Sequence, residues 1–528
     1  MAAFPLLVLV AAGAAIAGLA RRTPVPPPLV LVTAGLLASF LPGIPDYTLD
    51  PDIVLPLVLP PLLHLAALDS SYLGLRAHVR PVALLSVGYV LFATAAVGWV
   101  AYTVVPGMPL TVALVLGAVV APPDAVAATA VARRIGLPHR IVTILKGESL
   151  FNDATAITAY RVALAAAVGE GLTWGEGLAE FALAAGGGVG IGLLLMVPLH
   201  WLRTRLRDPL LLNTLSLLTP FFAYGVAESV HASGVLAVVV VGLYFGHRAW
   251  QVGFATRLQE AAVWKMIAFI LESSVFLVIG LQLTVVLRGL GGYAPGEAAW
   301  YAVVVFVAVV ASRFLWVYPA TYLPLLRGPG DRPPWTHAFA VSWAGMRGVV
   351  SLAIAFSVPE TVHGGGAFPA RSLLLFLAFT TVIGTLVVQG VTLPPLIRRL
   401  KLPSHDPQEL LLAEAEAQNA ASEAAQRRLD ELLADPRNAL PRPLEERLRT
   451  VLERRRNAVW ERLGGVNDLT GESVDETYRR LSREVIAAER DVFVRMRDEG
   501  RLDDEMLRLL LRRLDLEEAA AHGEELAG

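Results

Sequence analysis

The chain has 528 residues, of which 55% are hydrophobic, and its mean hydropathy of +0.57 excludes an ordinary soluble domain. Charge is unevenly divided, because residues 401–528 hold 50 of the 90 charged side chains. This split predicts a polytopic membrane domain over 1–400 and a soluble, acidic tail over 401–528. The absence of cysteine excludes disulfides and thiolate metal sites.

Long apolar runs predict about thirteen transmembrane helices, since a helix needs about 20 apolar residues to cross a bilayer. The first run has no basic segment before it, so a retained helix is favoured over a signal peptide. The fold class predicted is therefore an all-α polytopic membrane protein with a helical tail. In chain order, spans 1 to 13 are 4–20, 24–42, 53–69, 82–105, 109–132, 141–167, 178–201, 209–228, 233–247, 260–287, 298–324, 336–358 and 372–397.

The arginines between the spans predict the orientation of the chain. Alternate connecting segments carry fourteen arginines, whereas the other six carry only Arg288 and Arg371. Arginine is enriched on the cytoplasmic side of membrane proteins. This bias predicts a multi-pass protein of the plasma (inner) membrane, with the N-terminus outside and the tail in the cytoplasm.

Spans 5 and 12 are predicted to be broken helices. Span 5 contains Pro122 and Pro123 just before Asp124, and proline removes a backbone donor. Span 12 contains Arg347 within a glycine-rich segment. If spans 1–6 and 8–13 form two inverted repeats around span 7, these breaks correspond and indicate a transport site near the midplane. The alternative is that the prolines and glycines only allow close helix packing.

Span 6 carries a polar face inside an apolar run. Four residues share a face about 140° wide, because side chains four apart on a helix lie about 40° from each other: Glu148, Ser149, Asn152 and Asp153. The favoured role of Glu148 is a structural ion pair with Arg347, and Arg313 on span 11 is the alternative partner. Breaking such a buried pair is strongly destabilising.

Asp153 and Asp124 are the predicted ion carriers. A carboxylate can hold a proton or a metal cation but not both, so competition for one acid is enough to exchange a cation for protons. Ser149, Asn152 and backbone carbonyls freed near Pro123 would supply the oxygen ligands that hard cations prefer. The alternative for Asp153 is a structural hydrogen bond to a neighbouring helix.

Five segments together resemble the bacterial Na⁺/H⁺ antiporters of the monovalent cation:proton antiporter family, in the branch related to animal sodium/proton exchangers. The likeness covers nearly all of residues 5–400. Several long motifs in the same order are more specific than one short motif. They are PPDAVAAT (122–129), GESLFNDAT (147–155), AESVHASGVLAVVVVGL (227–243), ESSVFLVIGL (272–281) and SWAGMRGVVSLAIA (342–355).

The resemblance implies a homodimer in which a core (spans 4–6 and 11–13) moves against an interface domain (spans 1–3 and 7–10). It implies that Asp153 carries Na⁺, that Ser149 and Asn152 shape its site, and that the Pro123–Asp124 backbone contributes. It also implies that Glu148 pairs with Arg347. The pair Asn152-Asp153 is similar to the electroneutral branch of the family.

Two departures from the family pattern bear on cation choice. Pro123-Asp124-Ala125 replaces the Thr-Asp-Pro of many members, and Leu65 stands where members often carry an acid. His64 beside it is a candidate pH-responsive group, although a packing histidine is favoured. Glu272 in span 10 is assigned to packing or to the ion vestibule.

The predicted function is exchange of Na⁺ (or Li⁺) for H⁺ by alternating access, serving pH and sodium homeostasis. K⁺/H⁺ antiport is the alternative within the class, and a passive cation channel is the alternative from another class. An enzyme is not predicted, because neither a nucleophile–base set nor a nucleotide loop is found. Beyond the transported ions, no cofactor and no nucleic acid is expected; the partners are the lipid bilayer and a second copy.

Overall fold

The chain divides into two compact units, Met1–Leu402 and Pro403–Gly528. Where the structure describes it, the chain is helical apart from loops and one isolated bridge between Thr361 and Ala367. The predicted all-α class is therefore confirmed. The structure is a computed structural model that describes residues 3–23, 25–42, 54–124, 137–169, 174–323, 333–362, 366–400, 402, 407–438, 440–463, 474–499 and 501–521.

Seventeen α-helices are described in the first unit. There are also two π-helical segments. Val54–Val58 precedes α3, and Leu84–Tyr89 joins α5 to α6. In chain order the helices are α1 Ala3–Ala20, α2 Pro27–Ala38, α3 Leu59–Leu68, α4 Tyr72–Ala77, α5 Val79–Ala83, α6 Val90–Val104, α7 Leu110–Val120, α8 His139–Val168, α9 Trp174–Arg205, α10 Pro209–Ser229, α11 Gly234–His247, α12 Phe254–Leu281, α13 Leu283–Arg288, α14 Pro295–Tyr322, α15 Trp335–Trp343, α16 Val349–Phe356 and α17 Arg371–Leu400.

Each of the thirteen predicted spans overlaps a described helix or described helical segments in series, and residues 125–132 of span 5 lie outside the described residues. Among the described residues, six helical stretches are long and apolar enough to cross a membrane, and shorter apolar helices account for most of the other spans. The six are Val79–Val104, Gly175–Arg205, Pro209–Ser229, Phe254–Arg288, Pro295–Tyr322 and Arg371–Leu400.

Small residues let the shorter helices pack at close range. Gly35 on α2 faces Gly280 on α12, and a Cβ atom on either one would come within 2.9 Å of the other's Cα atom. Gly117 on α7 faces α6, where an added Cβ atom would lie 3.0 Å from the backbone nitrogen of Gly98. Close backbone approach of this kind replaces hydrophobic burial as the source of helix association in lipid.

Both predicted interruptions are present. α7 ends at Val120 and residues 121–124 are not helical, while the rest of span 5 (125–132) lies outside the described residues. α15 ends at Trp343, and five non-helical residues precede α16. The causes are those expected, since the first break holds two prolines and the second holds two glycines.

The described residues of the second unit form four α-helices, α18 Pro407–Leu433, α19 Arg442–Leu463, α20 Val474–Asp498 and α21 Asp504–Ala521. Its ion pairs are largely exposed. Arg449 bonds Asp430 at 2.8 Å, and Arg490 bonds Glu518 at 2.8 Å. Exposed pairs of this kind contribute little to stability, so the apolar positions of these helices carry most of the packing.

Candidate functional site

The two interrupted spans meet at their non-helical segments. The amide nitrogen of Asp124, after α7, donates to the carbonyl oxygen of Met346, between α15 and α16, at 2.6 Å. Met346 is buried and Asp124 is half-buried. Non-helical backbone at membrane depth must find its partners within the protein, because lipid offers none. The meeting point, here called the crossing, therefore places polar backbone groups inside an apolar domain.

α8 brings its polar face to the crossing. Asn152 is fully buried and donates from Nδ2 to the carbonyl oxygen of Pro123 at 2.6 Å. Asp153 is 7% exposed. The negative charge of Asp124 is close enough to repel a negative charge on Asp153. Ser149 is half-buried and precedes Asp153 by one helical turn. Residues from two spans, predicted separately from sequence, thus lie at one place.

An unpaired oxygen accompanies the acids. Asn152 Oδ1 is buried, and it finds no hydrogen-bond partner in the described part of the chain. A buried acceptor without a partner is costly and calls for an explanation. Carboxylate and amide oxygens are the ligands that hard cations prefer. Asp153 with this oxygen can therefore hold a small cation, and Asp153 alone can hold a proton.

Two glycines in the span 12 break make room for charged side chains. A Cβ atom on Gly348 would overlap the Asp124 carboxyl group, so that carboxyl lies directly against the glycine. A Cβ atom on Gly345 would overlap the side chain of Arg313. The glycines on either side of Arg347 are thus required by two different charged neighbours.

Gly348→Ala is expected to displace Asp124 and to lower the free energy of unfolding by about 1–3 kcal/mol, the usual cost of overpacking. Cation-dependent proton movement should fall roughly 10- to 100-fold, because a shift of about 1 Å at a reacting group has this effect. Thermal unfolding and transport by the same preparations would measure both. Gly225→Ala is the matched control, since a Cβ atom there meets nothing within 4 Å. Equal losses in the two variants would contradict the prediction.

Glu148 is paired with Arg313, the alternative partner. Arg313 donates from its two terminal nitrogens to the two carboxylate oxygens at 2.6 and 2.8 Å. Both side chains are 1% exposed. Arg313 Nε also donates to the carbonyl oxygen of Val341, near the end of α15, at 3.1 Å. Parallel bonds of this kind are the strongest ion-pair geometry and fix the α8 and α14 side chains to each other.

The prediction that Arg347 neutralises Glu148 is wrong. Arg347 Nε donates to the carbonyl oxygen of Val120, the last residue of α7, at 2.6 Å, and a terminal nitrogen donates to that of Gly345 at 2.9 Å. The last carbonyls of a helix have no partner within the helix and favour cations. The carbonyl oxygens at the end of a broken helix can thus stabilise a buried arginine that has no direct acidic partner.

Tyr89 was not identified from the sequence. It is fully buried, and its hydroxyl accepts from Arg347 at 2.5 Å. Its ring centroid lies 5.0 Å from Arg313 Cζ and 5.8 Å from Arg347 Cζ. One aromatic ring therefore lies within cation–π distance of two buried cations. The only sequence signal was a tyrosine in the middle of an apolar span, where its hydroxyl needs a partner.

Tyr89→Phe is expected to lower the free energy of unfolding by about 1.5–3 kcal/mol, because it removes a hydrogen bond to a charged group and keeps the ring. The measurement is the thermal or denaturant midpoint of the purified protein. Tyr102→Phe, at an exposed position on α6, is the control and should change little. A midpoint of Tyr89→Phe equal to wild type would contradict the assigned contact.

The remaining candidates are His64, Leu65 and Glu272. His64 on α3 is 1% exposed, its ring centroid is 5.4 Å from that of Trp264, and a Cβ atom on Gly242 would lie 3.1 Å from its Nδ1. These contacts favour the packing role. Leu65 and Glu272 are both half-buried, on α3 and α12.

Comparison with known proteins gives a consistent result. The family model described as sodium/hydrogen exchanger, transmembrane, matches residues 8–399. An uncharacterized Na⁺/H⁺ exchanger of Mycobacterium tuberculosis is 34% identical over 531 residues, covering 98% of this chain and 96% of the relative. A sodium, potassium, lithium and rubidium/H⁺ antiporter of Bacillus pumilus is 31% identical over 387 residues, covering 70% of this chain and 57% of the relative.

A solved structure shares the fold. The sodium proton antiporter MjNhaP1 of Methanocaldococcus jannaschii aligns with a TM-score of 0.61 at 21% identity. The alignment covers 75% of this chain and 97% of that protein. The likeness therefore extends over the length expected for the membrane unit.

Proposed function

The chain belongs to the sodium/hydrogen exchanger family, and from that premise we propose that Asp153 binds, in turn, the Na⁺ and the H⁺ that this protein exchanges across the plasma membrane. It is a multi-pass secondary transporter and not an enzyme. The observation that carries the proposal is the crossing, where the buried Asp153 is within electrostatic range of Asp124 and the preceding residue, Asn152, has a buried Oδ1 without a hydrogen-bond partner among the described residues.

Exchange follows from competition for one carboxylate. When Asp153 is ionised, its oxygens and Asn152 Oδ1 bind a cation; when it is protonated, the cation site loses its charge. Asp124 adds a second negative group close by, which favours the return of either positive ion. The Pro123 carbonyl holds Asn152 Nδ2 and so aims Oδ1 into the site. Ser149 is the remaining candidate ligand on α8.

Alternating access would move the core, built on α5–α8 and α14–α17, against the remaining helices. A polar cavity of about 290 Å³ lies two turns beyond Asp153 on α8 and contains Thr158 and Glu180. At this cavity Arg161 of α8 pairs with Glu228 of α10 at 2.8 Å. This ion pair joins the two sets of helices, so it must open when the core moves.

The finer terms of the proposal rest on the sequence. The fourteen arginines support an N-terminus outside and a cytoplasmic tail. The Asn152-Asp153 pair supports electroneutral exchange of one cation for one proton. The family resemblance supports a homodimer that needs no cofactor and serves pH and sodium homeostasis.

K⁺/H⁺ antiport is the second candidate. It is favoured by the Bacillus pumilus relative, whose name includes potassium and rubidium, and by Leu65, which removes one acid that members often carry. Fewer charged ligands select less strongly among monovalent cations, because selectivity depends on ligand number and cavity size.

The test uses everted membrane vesicles with an imposed pH gradient. Addition of Na⁺, Li⁺, K⁺ or Rb⁺ over a range of pH should dissipate the gradient most strongly for Na⁺ and Li⁺. Equal or larger responses to K⁺ would favour the second candidate. Cation flux without counter-flow of protons would instead indicate a channel. An unchanged rate when the membrane potential is clamped to zero would support electroneutral exchange, and a changed rate would overturn that term.

A further inference from the structure

A basic cavity of about 400 Å³ lies among α9, α10, α11 and α12, away from the crossing. It is at the ends of these helices where the connecting arginines cluster, which the proposed orientation makes the cytoplasmic side. Arg203, Arg207, Arg248 and His200 line it, and no acidic side chain is among its described lining residues. Arg203 is already paired with Glu260, which is not a lining residue, whereas the described lining offers no acid to Arg207 and Arg248, so their charges repel each other unless an anion lies between them.

The cavity also contains an uncapped helix start. α12 begins after Gly253 without a side-chain hydrogen bond to its first turn, and Gly253 to Thr256 line the cavity. By contrast, the first turn of α10 is capped by Asp208, which accepts from the Leu210 amide. Uncapped amide groups at a helix N-terminus bind anions and phosphate groups readily.

Arg203 provides a second, independent sign of a missing ligand. Its side chain is 10% exposed and donates to Glu260 at 2.8 Å, and Ser216 donates to the other oxygen of that carboxylate at 2.5 Å. Its Nε is buried with no hydrogen-bond partner in the described part of the chain. The guanidinium is thus held in place by Glu260 while one of its donors is left unused. Arg203 also lines the cavity, so a rotation of its side chain would bring this donor to an acceptor there.

The surroundings of the cavity point to a lipid as the source of that acceptor. Trp250 is 73% exposed, Phe254 is 72% exposed and Leu210 is 71% exposed, and all three lie at or beside the lining. Exposed tryptophan next to basic groups is typical of the membrane interface, and basic pockets between helices on the cytoplasmic side suit anionic headgroups.

We propose that this cavity binds the phosphate of an anionic phospholipid headgroup, with Arg203, Arg207 and Arg248 around it and the first turn of α12 donating to it. The sidedness rests on the proposed function's orientation, whereas binding itself does not depend on ion exchange. The lipid would neutralise Arg207 and Arg248 and hold the ends of α9, α10 and α12 together, which raises thermal stability by mass action.

The test is an equilibrium titration of the full chain, purified in neutral detergent, with short-chain phosphatidylglycerol. Phosphatidylcholine of the same chain length and inorganic phosphate are the comparison ligands. Arg207→Gln/Arg248→Gln should weaken phosphatidylglycerol binding roughly 30-fold, at about 1 kcal/mol per basic group. The control, Arg76→Gln/Arg205→Gln, removes two exposed arginines from the same side that do not line the cavity, and it should bind within about threefold of wild type.

The outcomes separate the possible occupants. Tighter binding of phosphatidylglycerol than of phosphatidylcholine, lost only in the lining pair, supports the proposal. Equal binding of the two lipids, or equal loss in both variant pairs, overturns it. If inorganic phosphate saturates the cavity and the lipid binds no more tightly, the occupant is a free anion and the lipid assignment is wrong. Unfolding midpoints without ligand show whether each variant is folded, and vesicle transport tests the proposed function separately.

Discussion

Asp153→Asn is expected to abolish Na⁺-dependent proton movement and to leave a folded protein. The amide has nearly the same volume as the carboxyl group, so the buried site keeps its packing, but it carries no charge and cannot release a proton. Both ions lose their binding group at once. Everted vesicles should show no dissipation of the pH gradient above background, a loss of roughly 100-fold or more, as expected when a group in contact with the transported ion is removed.

The control is Asp69→Asn, which makes the same chemical change at an exposed position after α3. It should transport like wild type. A second readout is the thermal unfolding midpoint, which Na⁺ should raise for wild type and not for Asp153→Asn. Dissipation by Asp153→Asn at the wild-type rate would show that the ion is carried elsewhere, with Asp124 the next candidate.

Competition at one carboxylate also predicts a pH dependence for wild type. In the range where protons occupy Asp153, each unit fall in pH should raise the apparent Na⁺ concentration at half-maximal rate about tenfold, because one proton is displaced per cation. Initial rates over a grid of pH and Na⁺ concentration would measure it. A half-maximal concentration that does not vary with pH would contradict a shared site.

The fold could be predicted from the sequence because each membrane helix is recognisable from its own run of apolar residues. Runs of apolar residues set the spans, and Pro122 and Pro123 set a break through their missing donors. Helical spacing alone placed Asn152 and Asp153 on one face. The crossing itself was expected only because span 12 contains a second break.

The partners across helices could not be predicted in the same way. Glu148 and Arg313 lie 165 positions apart, and Arg347 and Tyr89 lie 258 apart. Periodicity within a helix fixes the direction of a side chain but not which neighbour it meets. The sequence offered two arginines, Arg313 and Arg347, as partners of Glu148. The prediction considered only acidic side chains and left out the carbonyl oxygens at helix ends as acceptors. The main-chain carbonyl of Val120 has no side-chain signal, so Arg347 appeared to need Glu148.

Removing either member of the Glu148–Arg313 pair is expected to lower the free energy of unfolding by about 3–5 kcal/mol, since each leaves a buried charge without a partner. Glu148→Gln and Arg313→Gln are the single variants. The double variant should be more stable than the sum of the two losses predicts, because no unpaired charge remains. The measurement is denaturant unfolding of the purified protein in detergent, with transport recorded beside it.

A double-mutant cycle distinguishes this pair from the one expected from the sequence. The coupling energy between Glu148 and Arg313 should be about 2–3 kcal/mol, whereas Glu148 and Arg347 should couple by less than about 1 kcal/mol. Arg347→Gln is a matched control because it removes an equally buried arginine whose direct partners are two carbonyls and a hydroxyl. A larger coupling to Arg347 would contradict the assignment of Arg313 as the partner of Glu148. Coupling to Arg313 alone would support a purely structural role for the Glu148–Arg313 pair. Asp153 would then be the acid of α8 that binds the cation and the proton in turn.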